Sequence, residues 1–309
     1  MRTAARPLRG GTRASTLARW QTARIGELLA TRTHVHCEEI LVSTEGDRTL
    51  DRPLPEIGGK GVFTEALEAS LREGTIDFAV HSLKDLPIGQ PDDLVVVAVC
   101  LRTDPRDVLI AREKWTLARL PRDARVGTSS TRRTAQLLAA RPDIVIASLR
   151  GNVDTRVRKA LDGDYDAIVI AAAGVERLGL GDAISEHLGF DVMLPAPGQG
   201  ALAVQCRADD RATRDLLESL DDPVARATTT AERTFLEELG GGCAAPVAAL
   251  GEIGPGGGGT TLRLRWLVAT PDGTRVVRVE KERPADQAET LGRQLAHAAV
   301  AGGARELLP

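Results

Sequence analysis

ARVGTSSTRR (residues 124–133) and IVIASLRGNVDTRVRK (residues 144–159) decide how this chain is read. Each opens as a short apolar run with the β-branched content of a buried strand, 124–126 in the first and 144–148 in the second. Each then crosses a small polar loop into a stretch with helical patterning. Strand, loop and helix in that order form the unit of α/β domains, which bind ligands beyond the carboxyl ends of their strands. The loops are rich in hydroxyls and guanidiniums: Thr128, Ser129, Ser130, Arg132 and Arg133 in one, Arg150 and Arg156 in the other. Such groups, with the N–H groups of a helix start, donate hydrogen bonds to oxyanions. The whole chain nevertheless carries a formal charge of −3. A local positive site on a slightly acidic protein points to a small polyanionic ligand.

The same alternation extends outward. Residues 15–30 show helical spacing, with Ser15 placed to cap the start, and 35–42 read as a strand. Thr64–Glu73 read as a helix. The apolar runs 76–80, 94–100, 166–171 and 201–206 read as strands buried on both faces, and the alternation predicts largely parallel sheets. The last ninety or so residues change character. A helix over 223–239 ends in Gly240, Gly241 and Gly242. LRLRWLVA and RVVRVEKE follow, separated by T-P-D-G (270–273), which predicts an antiparallel hairpin. A helix over 286–301 closes a smaller α+β domain. The GPGGGG run (254–259) reads as a loop joining two strands, because no Lys-Ser/Thr follows it to make a phosphate loop.

Composition removes several function classes. There is no apolar run of membrane-spanning length. Only 3% of residues are aromatic, too few for base-stacking platforms, so nucleic acid is not an expected partner. The basic N-terminal stretch MRTAARPLRGGTRAS lacks the apolar region of a secretory signal. Cys37, Cys100, Cys206 and Cys243 are far apart, with no C-x-x-C pair, which argues against a zinc site or a disulfide framework. A cytoplasmic location is the expectation. His34 and His36 have no partners that complete a metal site, and none is expected.

Three further clusters can carry chemistry. HSLKDLP (81–87) follows the run IDFAV, so His81, Ser82, Lys84 and Asp85 are expected at a strand's carboxyl end. They read either as an acid/base carboxylate beside a cation, or as a turn-capping Asp and a solvated Lys. GGKGVF (58–63) is either a hinged glycine loop carrying Lys60 or an ordinary turn. GGGCAAP (240–246) sets Cys243 on an irregular glycine loop, unlike the other three cysteines, which lie in strand-like runs. It is a candidate reactive or modified thiol.

Taken together, GTRAS (11–15), STEGD (43–47), GGKGVF, DFAVHSLKDLP (77–87), DPRD (104–107), VGTSSTRR (126–133), LRGNVDTR (149–156), YDAIVIAAAGVERLGL (165–180), PAPGQGAL (195–202) and GGGCAAP closely resemble the hydroxymethylbilane synthase, or porphobilinogen deaminase, family. The matching pieces run nearly the whole length, in order. The resemblance implies an α/β fold: two periplasmic-binding-protein-like domains flanking a cleft, 1–104 with 197–220 and 105–196, plus a smaller C-terminal α+β domain, 221–309. It implies a transferase that joins four porphobilinogen molecules head to tail into hydroxymethylbilane, an intermediate of haem and other tetrapyrroles, releasing ammonia at each step. The reaction is primed by a dipyrromethane cofactor, attached here through a thioether to Cys243.

The resemblance also implies roles. Asp85 is the catalytic carboxylate, stabilising positive charge and moving protons. Cofactor contacts fall to Lys84, Ser82, Thr128, Ser129, Ser130, Arg132, Arg133 and Arg150. Substrate contacts fall to Arg13, Ser15, Arg150, Arg156, Arg177 and Gln199. Lys60 and Phe63 belong to a mobile lid. A growing chain of rings accumulates acetates and propionates, which accounts for arginines gathered in an acidic protein. A monomer with no membrane or nucleic-acid partner is implied. Glu45, Glu56 and Gly240 depart from the residues common in similar sequences, and bear on the lid and on the cysteine loop. The alternative is a non-catalytic two-lobed module that binds an acidic small molecule. Such a module needs neither Cys243 nor a buried acid at Asp85.

Overall fold

The computed structural model describes residues 6–43, 64–240, 245–256 and 259–308. The motif residues 44–47 and 58–63, with Lys60 and Phe63, lie outside them, as do Glu45, Glu56 and Cys243. In chain order the first elements are β1 (Leu8–Thr12), α1 (Thr16–Thr33), β2 (Cys37–Leu41), α2 (Glu65–Arg72), β3 (Phe78–Ser82) and β4 (Leu94–Cys100). Next come β5 (Asp107–Ile110), β6 (Arg125–Gly127), α3 (Thr131–Ala140), β7 (Val145–Ala147), α4 (Val153–Asp162), β8 (Ala167–Ala171), α5 (Ala172–Arg177) and β9 (Glu186–His187). Then follow β10 (Leu202–Arg207), α6 (Arg211–Glu218), α7 (Pro223–Glu238), β11 (Val247–Gly256), β12 (Gly259–Ala269), β13 (Val276–Pro284) and α8 (Ala288–Ala301).

The chain divides into two compact units. The first is Met1–Arg102 with Ala201–Pro223; the second is Thr103–Gly200 with Val224–Pro309. The first contains a five-stranded sheet, β2-β1-β3-β10-β4, and the second a five-stranded sheet of the same plan, β7-β6-β8-β5-β9. In each, four of the five strands point the same way, and the fourth in the row, β10 or β5, runs antiparallel to both its neighbours. The expectation of largely parallel sheets holds for four strands of each, and the one reversed strand, which the sequence did not reveal, makes each sheet mixed. The reason is physical: a strand buried on both faces reads as the same apolar run whichever way it points.

Side-chain alternation builds the layers. On one face of the first sheet, Phe78, Val80, Val204 and Cys206 pack on Ile25 and Leu29 of α1 and Leu217 of α6. On the other, Ala79 meets Leu67 and Leu71 of α2. In β1, close packing demands glycine: a Cβ at Gly11 would lie 2.3 Å from Ile76 Cδ1. The second sheet alternates in the same way. Leu109 and Val169 face Leu137 of α3, while Val108, Ile110, Ile168 and Ile170 face Val157 of α4 and Val175 of α5.

The expected hairpin is present as β12 and β13, joined through 270–275, and β11 completes an antiparallel three-stranded sheet. Ala248, Leu250, Leu267 and Ala269 cover Ala135 of α3, and Trp266 stacks on Phe235 of α7 at 5.1 Å. Gly240 follows the end of α7 at φ +73°, the left-handed conformation that favours glycine after a helix. A longer residue there is strained, which accounts for glycine at this departure. Cys100 and Cys206 are buried and Cys37 half-buried. Burial pushes the Cys37 and Cys206 thiols up to about 11, so these three fit the expected inert class.

Candidate functional site

In the first unit, β1 and β3 are parallel neighbours with Gly11 opposite Ala79, so the residues that follow them leave the same sheet edge. Arg13 follows β1 and is half-buried. Ser15 caps α1, its hydroxyl accepting from Ala18 N at 3.3 Å. Ser82 ends β3 and accepts from Gln21 Nε2 at 2.9 Å. The strand is longer than its apolar run suggests: His81 lies inside β3 and is buried, rather than beyond the strand end.

Leu83–Asp85 form a single 3₁₀ turn. Leu83 and Leu86 are 3% and 1% exposed, and Leu83 N donates to Ala201 O at 3.0 Å. Two buried leucines thus pin the turn to the core and push the residues between them outward. Lys84 is half-buried and Asp85 exposed. The buried acid expected here is corrected: the carboxylate stands in the open, because the turn places leucines inward on either side of it.

In the second unit, the two arginine loops lie side by side because β6 and β7 pair in parallel. Ser129 staples them. Its hydroxyl accepts from Leu149 N at 3.0 Å and donates to Leu149 O at 2.8 Å. Thr128 Oγ1 accepts from Ser130 N, and Ser130 Oγ accepts from Arg133 N as the cap of α3. Tyr165 braces the second loop through Ser148 O at 2.7 Å.

The arginines fall into two kinds. Arg132 and Arg133 are buried on Asp107, which is 0% exposed. Arg132 Nη1 donates to Asp107 Oδ2 and to Leu194 O, both at 2.7 Å. Arg133 Nη2 and Nε reach Asp107 Oδ1 at 2.7 and 3.0 Å. Burial is the main cause pushing the Arg132 pKa down; Asp107 opposes it and Arg133 adds to it. Gln199 is 0% exposed, and its amide donates to Pro105 O at 2.8 Å and Asp107 Oδ1 at 3.0 Å. Its place is that of a buried brace, unlike the exposed contact expected of a substrate-binding residue. By contrast, Arg150 is half-buried, and its guanidinium has no hydrogen-bond or ion-pair partner among the described residues. Arg156 Nε donates to Gly151 O at 2.6 Å, and Arg177 Nη2 to Gly200 O at 2.6 Å.

Sequence reasoning gave no role to Asp107, though it stands in the quoted motif DPRD. The available signal was a carboxylate opening an apolar strand, DVLI, in a chain with adjacent arginines to match it. Two guanidiniums on one carboxylate leave one positive charge uncompensated among the described residues. With the open fork of Arg150, that is a donor set suited to carboxylates.

Residues 8–215 match the family model described as porphobilinogen deaminase, dipyromethane cofactor binding domain, and residues 227–301 match porphobilinogen deaminase, C-terminal domain. The chain belongs to the porphobilinogen deaminase family. It is 49% identical over 301 residues to the porphobilinogen deaminase of Roseiflexus sp. (strain RS-1), covering 96% of this chain and 97% of that one. It is 46% identical over 301 residues to that of Brevibacillus brevis, covering 96% and 95%. A periplasmic substrate-binding protein of an ABC transporter from Coxiella burnetii is similar at 16% identity and a TM-score of 0.44, over 73% of this chain and 96% of that one. The cofactor of a porphobilinogen deaminase is a dipyrromethane, and the residues of the second unit fit a group that carries carboxylates. Among the described residues, no helix is long and apolar enough to cross a membrane.

Proposed function

We propose that this chain is a hydroxymethylbilane synthase, a transferase that joins four porphobilinogen molecules head to tail with release of four ammonia. The observation that carries this reading is the Lys84–Asp85 pair, held outward between two buried leucines, in a chain that matches the family over 8–215 and 227–301. When bound through a thioether to Cys243, the dipyrromethane supplies the primer to which pyrrole units are added.

Asp85 has the central task. Its carboxylate stabilises the positive charge that develops on a pyrrole nitrogen as the amino group of the aminomethyl substituent leaves as ammonia and its methylene carbon stays on the ring, and it accepts and returns the proton there. Lys84, beside it, takes a substituent carboxylate. Arg150 offers an uncommitted fork for bidentate contact. Arg13, Arg156 and Arg177 hold further acetates and propionates, with Ser15, Ser82, Thr128, Ser129 and Ser130 as shorter donors. Arg132 and Arg133 lend their uncompensated charge from behind, and Gln199 holds their shared counter-ion. Lys60 and Phe63 complete the set from the glycine motif.

In this reading the chain forms three domains, 1–104 with 197–220, 105–196, and 221–309. The protein acts as a cytoplasmic monomer on a small-molecule substrate.

Intact-protein mass spectrometry tests the reading. The purified chain is expected to exceed its polypeptide mass by one dipyrromethane, and to gain species spaced by one pyrrole unit when porphobilinogen is limiting. Cys243→Ala should run at the bare mass and gain none. A fully active wild-type protein without the adduct, or the same adduct on Cys243→Ala, would overturn it.

A further inference from the structure

Behind the Asp85 turn lies a line of polar side chains that the reaction leaves without a task. His81 and Gln205 occupy adjacent strands. The register pairs His81 with Ala203, so Gln205 is its diagonal neighbour on the same face, the face covered by α2. Both are buried, at 6% and 0% exposure. His81 Nε2 lies 3.1 Å from Gln205 Oε1. Gln205 Nε2 lies 3.0 Å from Gln90 Oε1 and 3.5 Å from Glu68 Oε1. Gln90 Nε2 lies 2.6 Å from Pro87 O, two residues beyond Asp85.

The direction of this line is fixed from its far end. A proline carbonyl can only accept, so Gln90 must present its nitrogen to Pro87. That turns the Gln90 oxygen towards Gln205, which must therefore present its own nitrogen. The Glu68 carboxylate, another acceptor, asks for the same orientation. The Gln205 oxygen then faces His81, whose Nε2 must carry the ring proton. Burial pushes the His81 pKa down to about 4, against the hydrogen bond that His81 donates to Gln205, so a neutral ring with one defined tautomer suits the site.

We propose that His81, Gln205 and Gln90 form a one-way hydrogen-bond chain that holds the Asp85 turn in place, with Gln205 and Gln90 as positioning residues for the reaction. The turn is then tied to β10 at both ends: at its start by Leu83 N on Ala201 O, just before the strand, and beyond its end through Pro87, Gln90 and Gln205. Leucines alone hold the turn against the core without fixing its rotation. Directional bonds supply that, and an offset of about 1 Å in a reacting group can cost about 10²-fold in rate. The proposal rests on the reading of Asp85 as the catalytic carboxylate.

The test uses the cofactor-bearing protein. Gln205→Met and Gln90→Met remove the donors at similar volume; Gln294→Met, exposed on α8, is the control. The expected result is a fall of about tenfold in kcat for both Gln205→Met and Gln90→Met, with KM for porphobilinogen within about twofold. Amide hydrogen exchange at Asp85 and Leu86 should quicken in both and stay unchanged in the control. In the wild type, nitrogen-15 NMR should find the His81 proton on Nε2. Should buried Gln205→Met fail to fold, half-buried Gln90→Met carries the test. Turnover and exchange equal to the control, or a proton on His81 Nδ1, would overturn the proposal. Asp85→Asn, assayed alongside, separates the two ideas. Full turnover in that variant removes the reading of Asp85, whereas loss there with normal glutamine variants removes only the chain.

Discussion

Asp85 and Asp107 are both carboxylates beside basic residues, and the molecule treats them in opposite ways. Asp85 stands exposed on a turn whose leucines carry the packing. Asp107 is fully buried, accepting from Arg132, Arg133 and Gln199 at once. A group that must meet transient charge on a substrate has to stay unspent, so its support comes from apolar neighbours. A group that arranges other charges has to be spent on them, and its desolvation is offset only while every partner is present. The same chemical change at the two sites should therefore fail in different currencies, rate at one and stability at the other.

Asp107→Asn is expected to have the largest effect. It leaves two buried guanidiniums facing a neutral amide, and breaking a buried pair in this way costs about 3–5 kcal/mol. Urea unfolding should find that loss; a variant as stable as wild type would mean that the Arg132–Arg133 cluster is better solvated than its burial indicates. Asp85→Asn should instead keep its unfolding midpoint, as exposed substitutions do within about 0.5 kcal/mol, while turnover falls by ~10²–10³ or more. A large stability loss at Asp85 would erase the contrast.

Arg150→Ala sharpens the comparison among the arginines. Its fork has no partner among the described residues, and the proposed function makes it a contact residue rather than a brace, so its loss should weaken cofactor assembly or early chain growth about 10- to 150-fold without changing stability. Arg119→Ala, exposed and outside every motif, should match wild type in the same assays. Equal behaviour of the two variants would argue against carboxylate recognition at Arg150.

The smallest effect is a pH dependence carried by a third carboxylate. Burial alone would raise the pKa of Asp77, but hydrogen bonds from Arg9 and Arg6 outweigh it and hold the group below its ordinary 3.8. A depressed folded-state pKa means that the unfolded chain binds the proton first as pH falls. The stability from Asp77 is therefore present above about pH 4 and is lost progressively below it. Asp77→Asn should flatten the acid limb of a stability–pH curve measured by denaturant; an unchanged limb would remove this group from acid unfolding.

Much of this protein was legible in its residues because the signals were local. Ser15 and Ser130 announced their helices through short-range caps, the T-P-D-G turn announced its hairpin, and the apolar runs marked the strands. That the loops with Thr128, Ser129 and Arg150 follow strands and lie together was legible from the apolar runs before them; their reading as an anion site belongs to the proposed function. The motifs in order were enough to reach the family. What the residues could not show depends on which distant groups meet. Strand direction was hidden, since β5 and β10 bury both faces and read alike in either sense. Burial of charge was hidden too: Arg132 and Arg150 look equivalent as letters, yet Asp107, far off in sequence, encloses one and leaves the other open. The polarity of His81, Gln205 and Gln90 was likewise set in three dimensions, by a proline carbonyl that can only accept. Propensity, caps and turns act within a few residues and are written in the chain; desolvation and hydrogen-bond direction depend on neighbours that only the folded sheet brings together.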